Sequence, residues 1–149
     1  MTRALIAVGT ALAILVGGLS LAVVLGRDED HIAADNALSE DFTRDVALAG
    51  GSDVDLRALA PFAWTRVLVV APGTPREAVS RRLGYEWTGT GGIEGVYPGL
   101  ILLDEHGHVA RYFEYRGLGR FAGMDTPIAE LPRDRAVFRV ADLVISPKG

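Results

Sequence analysis

Residues 4–26 read ALIAVGTALAILVGGLSLAVVLG, a run without charge in which only Thr10 and Ser20 are polar. As a helix it would be about 34 Å long, at roughly 1.5 Å per residue. A bilayer's hydrocarbon core is about 30 Å thick, so the pattern predicts a transmembrane helix over 4–26. The competing reading is a cleaved signal peptide, which would leave a secreted protein. Its apolar core is normally about 7–15 residues and ends at a small-x-small cleavage site. Here Arg27-Asp28-Glu29-Asp30 follows the run directly, and no Ala-x-Ala site closes it, which favours a retained signal anchor. Arg3 and the α-amino group flank one side of the run; one arginine against three acids flanks the other. Positive residues stay in the cytoplasm. Residues 1–3 are therefore expected inside, and the C-terminal part outside the cell membrane.

Past this run the apolar positions follow shorter periods. Residues 27–37, RDEDHIAADNA, read as a juxtamembrane spacer. In residues 39–49, SEDFTRDVALA, Phe42, Val46 and Ala49 recur at i, i+4 and i+7 behind Ser39 as N-cap. That predicts a short helix stopped by Gly50-Gly51. Residues 64–70, WTRVLVV, are aromatic and β-branched and predict a strand. After the Ala71-Pro72-Gly73 turn, Thr74 is the expected N-cap of a second helix. Pro75 takes its first position, Glu77 completes a capping box, and Gly84 ends it.

A glycine-rich loop over 85–99 comes next. Residues 99–104 and 108–116 predict a hairpin turned by Glu105-His106-Gly107. Val109, Phe113 and Tyr115 are expected on one face of it with Arg111. Residues 117–134 read as a loop, and 136–146, AVFRVADLVIS, as one last strand. The order predicts an α+β domain over 38–149. Its mainly antiparallel sheet would carry one or two short helices on one face.

Trp64, Val67 and Val69, then Pro72, Thr74, Pro75 and Glu77, then Leu83 and Gly84 form a W-x-x-V-x-V, P-x-T-P-x-E, L-G pattern ahead of the hairpin. In this the chain resembles small bacterial envelope domains, membrane-anchored or lipoprotein-like, that have no characterised activity. Gly73 stands where that pattern often has tyrosine. The resemblance implies an anchored extracytoplasmic domain and carries over no catalytic residue.

Composition narrows the function classes. Hydrophobic residues make up 49% of the 149, and the positive mean hydropathy of +0.24 arises mainly in the N-terminal run. The chain has no cysteine. That removes a lipobox lipid anchor, disulfides, thiol catalysis and zinc-thiolate sites, so the domain must be held by its core. Past residue 27, 13 basic residues face 19 acidic ones, a net charge of −6. Nucleic-acid binding needs a basic footprint and is not expected.

The chemistry-bearing positions are few. Asp104, His106 and His108 are the candidate metal ligands, with Glu105 beside them. Alternate residues of an extended segment face one way, so the set has ligand-type spacing. It also lies at a hairpin turn, where polar residues belong anyway. His31 is far away in the sequence. Ser80 and Ser52 lie outside any Gly-x-Ser-x-Gly elbow. Glu86, Glu94 and Glu114 stand near Trp87, Tyr97, Tyr112 and Tyr115, a mixture that suits a sugar-binding surface or ordinary cross-strand packing. Gly89 to Gly95, GTGGIEG, lacks the Gly-Lys-Ser/Thr ending of a phosphate loop. In the apolar run, Gly9, Ala13 and Gly17 recur every four residues, a spacing that lets two helices approach and form a homodimer.

The expected function is therefore a single-pass membrane protein with an extracytoplasmic interaction or binding domain. No catalytic residue and no cofactor is assigned. Its expected partners are the bilayer, through residues 4–26, and another envelope protein. Two alternatives stay open: an envelope enzyme acting on a carbohydrate or cell-wall substrate through acidic residues, and a structural accessory subunit of a membrane complex.

Overall fold

The computed structural model describes residues 33–88, 95–124 and 126–149. The span expected over 4–26 lies outside these, as do His31 and Glu94. Among the described residues no helix is long and apolar enough to cross a membrane. The fold takes in the chain from Ala33 onward: Ala33 forms a β-bridge, and the Asp35 amide donates to the Tyr112 carbonyl at 2.8 Å. The end of the expected spacer is thus part of the folded unit.

Helix α1 spans Asn36–Leu48. Its N-cap is Asp35, whose Oδ1 accepts from the Leu38 amide at 3.0 Å, and not the expected Ser39. Ser39 sits one turn inside and its hydroxyl donates to the Glu114 carbonyl at 2.5 Å. The apolar stripe is as the spacing requires, with Leu38, Phe42 and Val46 buried. Strand β1 (Asp53–Asp55) and the one-turn helix α2 (Leu56–Leu59) follow. Trp64 is 2% exposed, and its indole N–H donates to the Ala60 carbonyl at 2.8 Å. It precedes β2 (Arg66–Val70).

Helix α3 spans Arg76–Leu83. The expected capping box is not formed. Pro75 occupies the cap and has no side-chain acceptor, while the Thr74 hydroxyl donates to the Ala71 carbonyl at 2.7 Å. Thr74 is buried, so its hydroxyl must find a partner, and the preceding turn supplies one. Gly84 ends the helix at φ 85, a left-handed conformation that glycine adopts without a Cβ penalty.

The expected hairpin is β3 (Gly99–Leu103) with β4 (Val109–Glu114). One detail differs. Leu102 pairs with Arg111 but Leu103 pairs with Val109, so Ala110 is an extra residue in the ladder. Such a bulge shifts the alternation. Val109 packs with Leu103 and Tyr112, whereas Phe113 and Tyr115 enter the opposite cluster.

The expected 117–134 loop contains β5 (Arg120–Phe121) and β6 (Ile128–Pro132). The single strand expected over 136–146 is folded back into two, β7 (Val137–Ala141) and β8 (Val144–Pro147), joined at Asp142-Leu143.

These strands form two four-stranded sheets, in the orders β1-β7-β8-β5 and β4-β3-β2-β6. All pairs are antiparallel except β5 with β8. The expected α+β class is therefore corrected: the described chain is mostly strand, in two sheets, with a few helices. The reason lies in the core. Both sheets and α1 contribute to one cluster, where Phe42 meets Phe113, Tyr115 and Phe138 at ring centroid distances of 5.5, 5.8 and 5.8 Å. The opposite face of the second sheet is covered by α3 and by Trp87, which meets Tyr112 edge-on at 5.0 Å.

Candidate functional site

The candidate metal ligands Asp104, His106 and His108 lie at the hairpin turn. Asp104 Oδ1 accepts from the amides of His106 and His108, at 2.8 and 2.9 Å. Burial pushes the Asp104 carboxyl up, but these two amide hydrogen bonds outweigh it and leave it below its usual range. His108 Nδ1 stands 3.8 Å from Asp104 Oδ2, and His106 Nε2 stands 3.4 Å from Glu105. Both imidazoles are exposed. Among the described residues no group of three or more histidine, cysteine or acidic side chains is placed to hold a metal ion.

The serines are also used structurally. Ser80 Oγ accepts from the Trp87 amide at 2.9 Å. The Ser52 amide donates to the Ala49 carbonyl, and its own carbonyl accepts from the Val140 amide. The proposed acidic-aromatic surface is divided by the fold. Trp87, Tyr112 and Tyr115 are buried, and only Tyr97, at 39%, is well exposed. Glu86 lies with Glu77, Arg76 and Arg81 along an open groove beside α3.

Glu114 is the exception among the acids. Its side chain is 5% exposed, Oε2 pairs with the Arg116 guanidinium at 2.9 Å, and Oε1 has no hydrogen-bond partner. The Arg116 guanidinium in turn lies over the Tyr97 ring, 5.6 Å from its centroid. A buried carboxylate thus positions a cation, and the cation positions an exposed aromatic ring.

That ring is one wall of a cleft of about 280 Å³ at one end of the fold. The end of β2 supplies Val69 and Pro72, the approach to β3 supplies Tyr97, and the segment after β4 supplies Arg120, Phe121 and Met124. Behind them the Tyr115 hydroxyl donates to the Leu118 carbonyl at 2.5 Å and fixes the Gly117-Leu118-Gly119 loop. Burial pushes the Tyr115 phenol up. A Cβ on Gly119 would sit 2.5 Å from the Leu143 carbonyl oxygen, so only glycine lets this loop close onto the β7–β8 turn.

A second cleft, of about 540 Å³, shares Tyr115 and is rimmed by Leu118 and Leu143, which are 80% and 61% exposed.

The lining of the first cleft is mainly apolar and aromatic. Its described lining contains no histidine, serine or carboxylate, and the Thr126 hydroxyl at its rim already donates to the Ile128 carbonyl at 2.7 Å. Among the described residues no nucleophile and base face each other there. Sequence reasoning missed Arg120, Phe121 and Met124, because they fall in a segment with no periodicity. The only signal was the paired glycines around Leu118. No family model, no curated protein and no solved structure matches this chain.

Proposed function

We propose that this chain is a membrane-attached binding protein. Its folded domain lies outside the cytoplasm and takes an apolar group of another envelope component into the Tyr97–Arg120 cleft, without catalysing a reaction. The observation that carries this reading is the cleft itself. Its described walls are mainly apolar and aromatic and hold a single cation, and the ring at its mouth is held in place by Arg116 and Glu114. Few convergent polar groups on an apolar wall are the usual make-up of a ligand site. Membrane attachment is supported by the uncharged 4–26 run and by the acidic residues directly after it.

A photo-crosslinking residue placed at Tyr97 in living cells tests the binding role. Adducts are expected from position 97 and not from Arg44, an exposed position on α1. Equal labelling from both sites sinks the proposal. A C-terminal reporter active only outside the cytoplasm tests placement, and activity only inside overturns it.

A further inference from the structure

Among the described residues, the cleft's one cation has no acidic partner. Arg120 is the only charged residue in the described lining, and no described carboxylate pairs with it. The neighbouring Arg116 is engaged by Glu114. The chain as a whole is acidic, at −4. A guanidinium that no described carboxylate engages offers a planar fork of donors that fits a carboxylate on two oxygens. The walls around it, Val69, Pro72, Pro98, Phe121 and Met124, offer nothing to a second charge.

Size limits the apolar part. The volume of about 280 Å³ is close to the lower end for small-molecule sites, roughly 300 Å³. At about 30 Å³ for each water-sized group, it holds roughly nine such groups.

We infer that the cleft takes a medium-chain carboxylate. An unbranched chain of about eight carbons lies against Phe121 and Met124, and its carboxylate meets Arg120. This rests on the cleft being the binding site. The same chemistry, an apolar body ending in a carboxylate, is also offered by the apolar C-terminal residue of a peptide, and the test separates the two.

The chain contains two methionines, Met1 and Met124. Full-length protein in lipid nanodiscs, labelled with ¹³C at the methionine methyls, therefore carries one probe in the cleft and one remote from it in sequence. Octanoate, octanol and N-acetyl-leucine are titrated below micellar concentrations, with free concentrations corrected for partition into lipid. The expected result is a saturable shift of the Met124 methyl, with octanoate binding about tenfold more tightly than octanol. Arg120→Gln, a change at an exposed side chain, should bring octanoate down to the octanol level. Equal affinities of octanoate and octanol in the unmodified protein overturn the carboxylate assignment and leave the cleft as an apolar site. Tighter binding of N-acetyl-leucine overturns the fatty chain in favour of a peptide terminus. No Met124 shift with any compound overturns both this inference and the binding reading beneath it.

Discussion

Asp35 and Arg111, 76 positions apart, are joined by a 2.8 Å ion pair that fastens the start of α1 to the outer edge of β4. The other carboxylate oxygen caps the helix through the Leu38 amide. One side chain thus sets where the chain enters the fold and in which direction α1 leaves.

Replacing Asp35 with alanine removes both interactions. Loss of an N-cap costs about 1 kcal/mol, and a half-exposed ion pair adds less than about 1 kcal/mol. The expected drop in melting temperature is about 5 °C. Asp35→Asn keeps the cap and should lose less than half as much. Equal losses in the two variants would show that the cap contributes nothing.

The same residue gives a pH dependence. Burial pushes the Asp35 carboxyl up, but the Leu38 amide and Arg111 together hold it below its usual value of 3.8. A depressed folded-state value means the unfolded chain takes up the proton first. The contribution is fully present above about pH 4 and is lost as pH falls through the folded-state value. Urea unfolding between pH 5 and pH 2 should therefore fall less steeply for Asp35→Asn than for the unmodified protein. Parallel curves would remove Asp35 from the acid response.

Glu114 and Arg116 should be strongly coupled. Arg116→Ala leaves a buried carboxylate with no counter-charge, which costs about 3 kcal/mol. Glu114→Gln removes that charge, so the double variant should be more stable than Arg116→Ala alone. A double-mutant cycle by chemical denaturation measures this. Strictly additive effects would mean the pair does not act as a unit.

The β7–β8 turn holds strain. Asp142 and Leu143 both have positive φ, 50° and 61°, as a two-residue hairpin requires, but leucine pays a steric penalty there. Leu143→Gly should stabilise by about 0.5–1 kcal/mol, because its side chain is exposed and little packing is lost. Gly119→Ala should do the reverse and destabilise by more than about 2 kcal/mol. Its Cβ would meet backbone, which cannot swing aside. Unchanged denaturation midpoints in both variants would contradict this account of the turn.

Zinc added to dialysed protein should leave the melting temperature where it was, since Asp104 Oδ1 is taken by two turn amides and no group of three ligand side chains is placed to hold a metal among the described residues. A zinc-dependent rise would restore the metal site.

Much of the local structure was legible in the chain. Phe42 and Val46 at helical spacing, the WTRVLVV strand, Gly84 as a helix stop and the 99–116 hairpin all reflect preferences that act over a few residues. Side-chain period and glycine's freedom at positive φ need no distant partner. What the chain did not reveal depends on such partners. Strands of two or three residues, β5 and β1, show no alternation and exist because β8 and β7 offer them open edges. AVFRVADLVIS reads as one strand because nothing in it resembles a turn; closure of Gly119 onto Leu143 helps hold the bend. The cleft was out of reach for the same reason. Tyr97, Arg120 and Met124 are brought together where β5 of the first sheet and the loop after it meet the ends of β2 and β3 of the second, and a cleft made by convergence leaves no spacing in the sequence. The uncharged run over 4–26, by contrast, is legible without any tertiary contact, and the span proposed for it rests on its length and polarity alone.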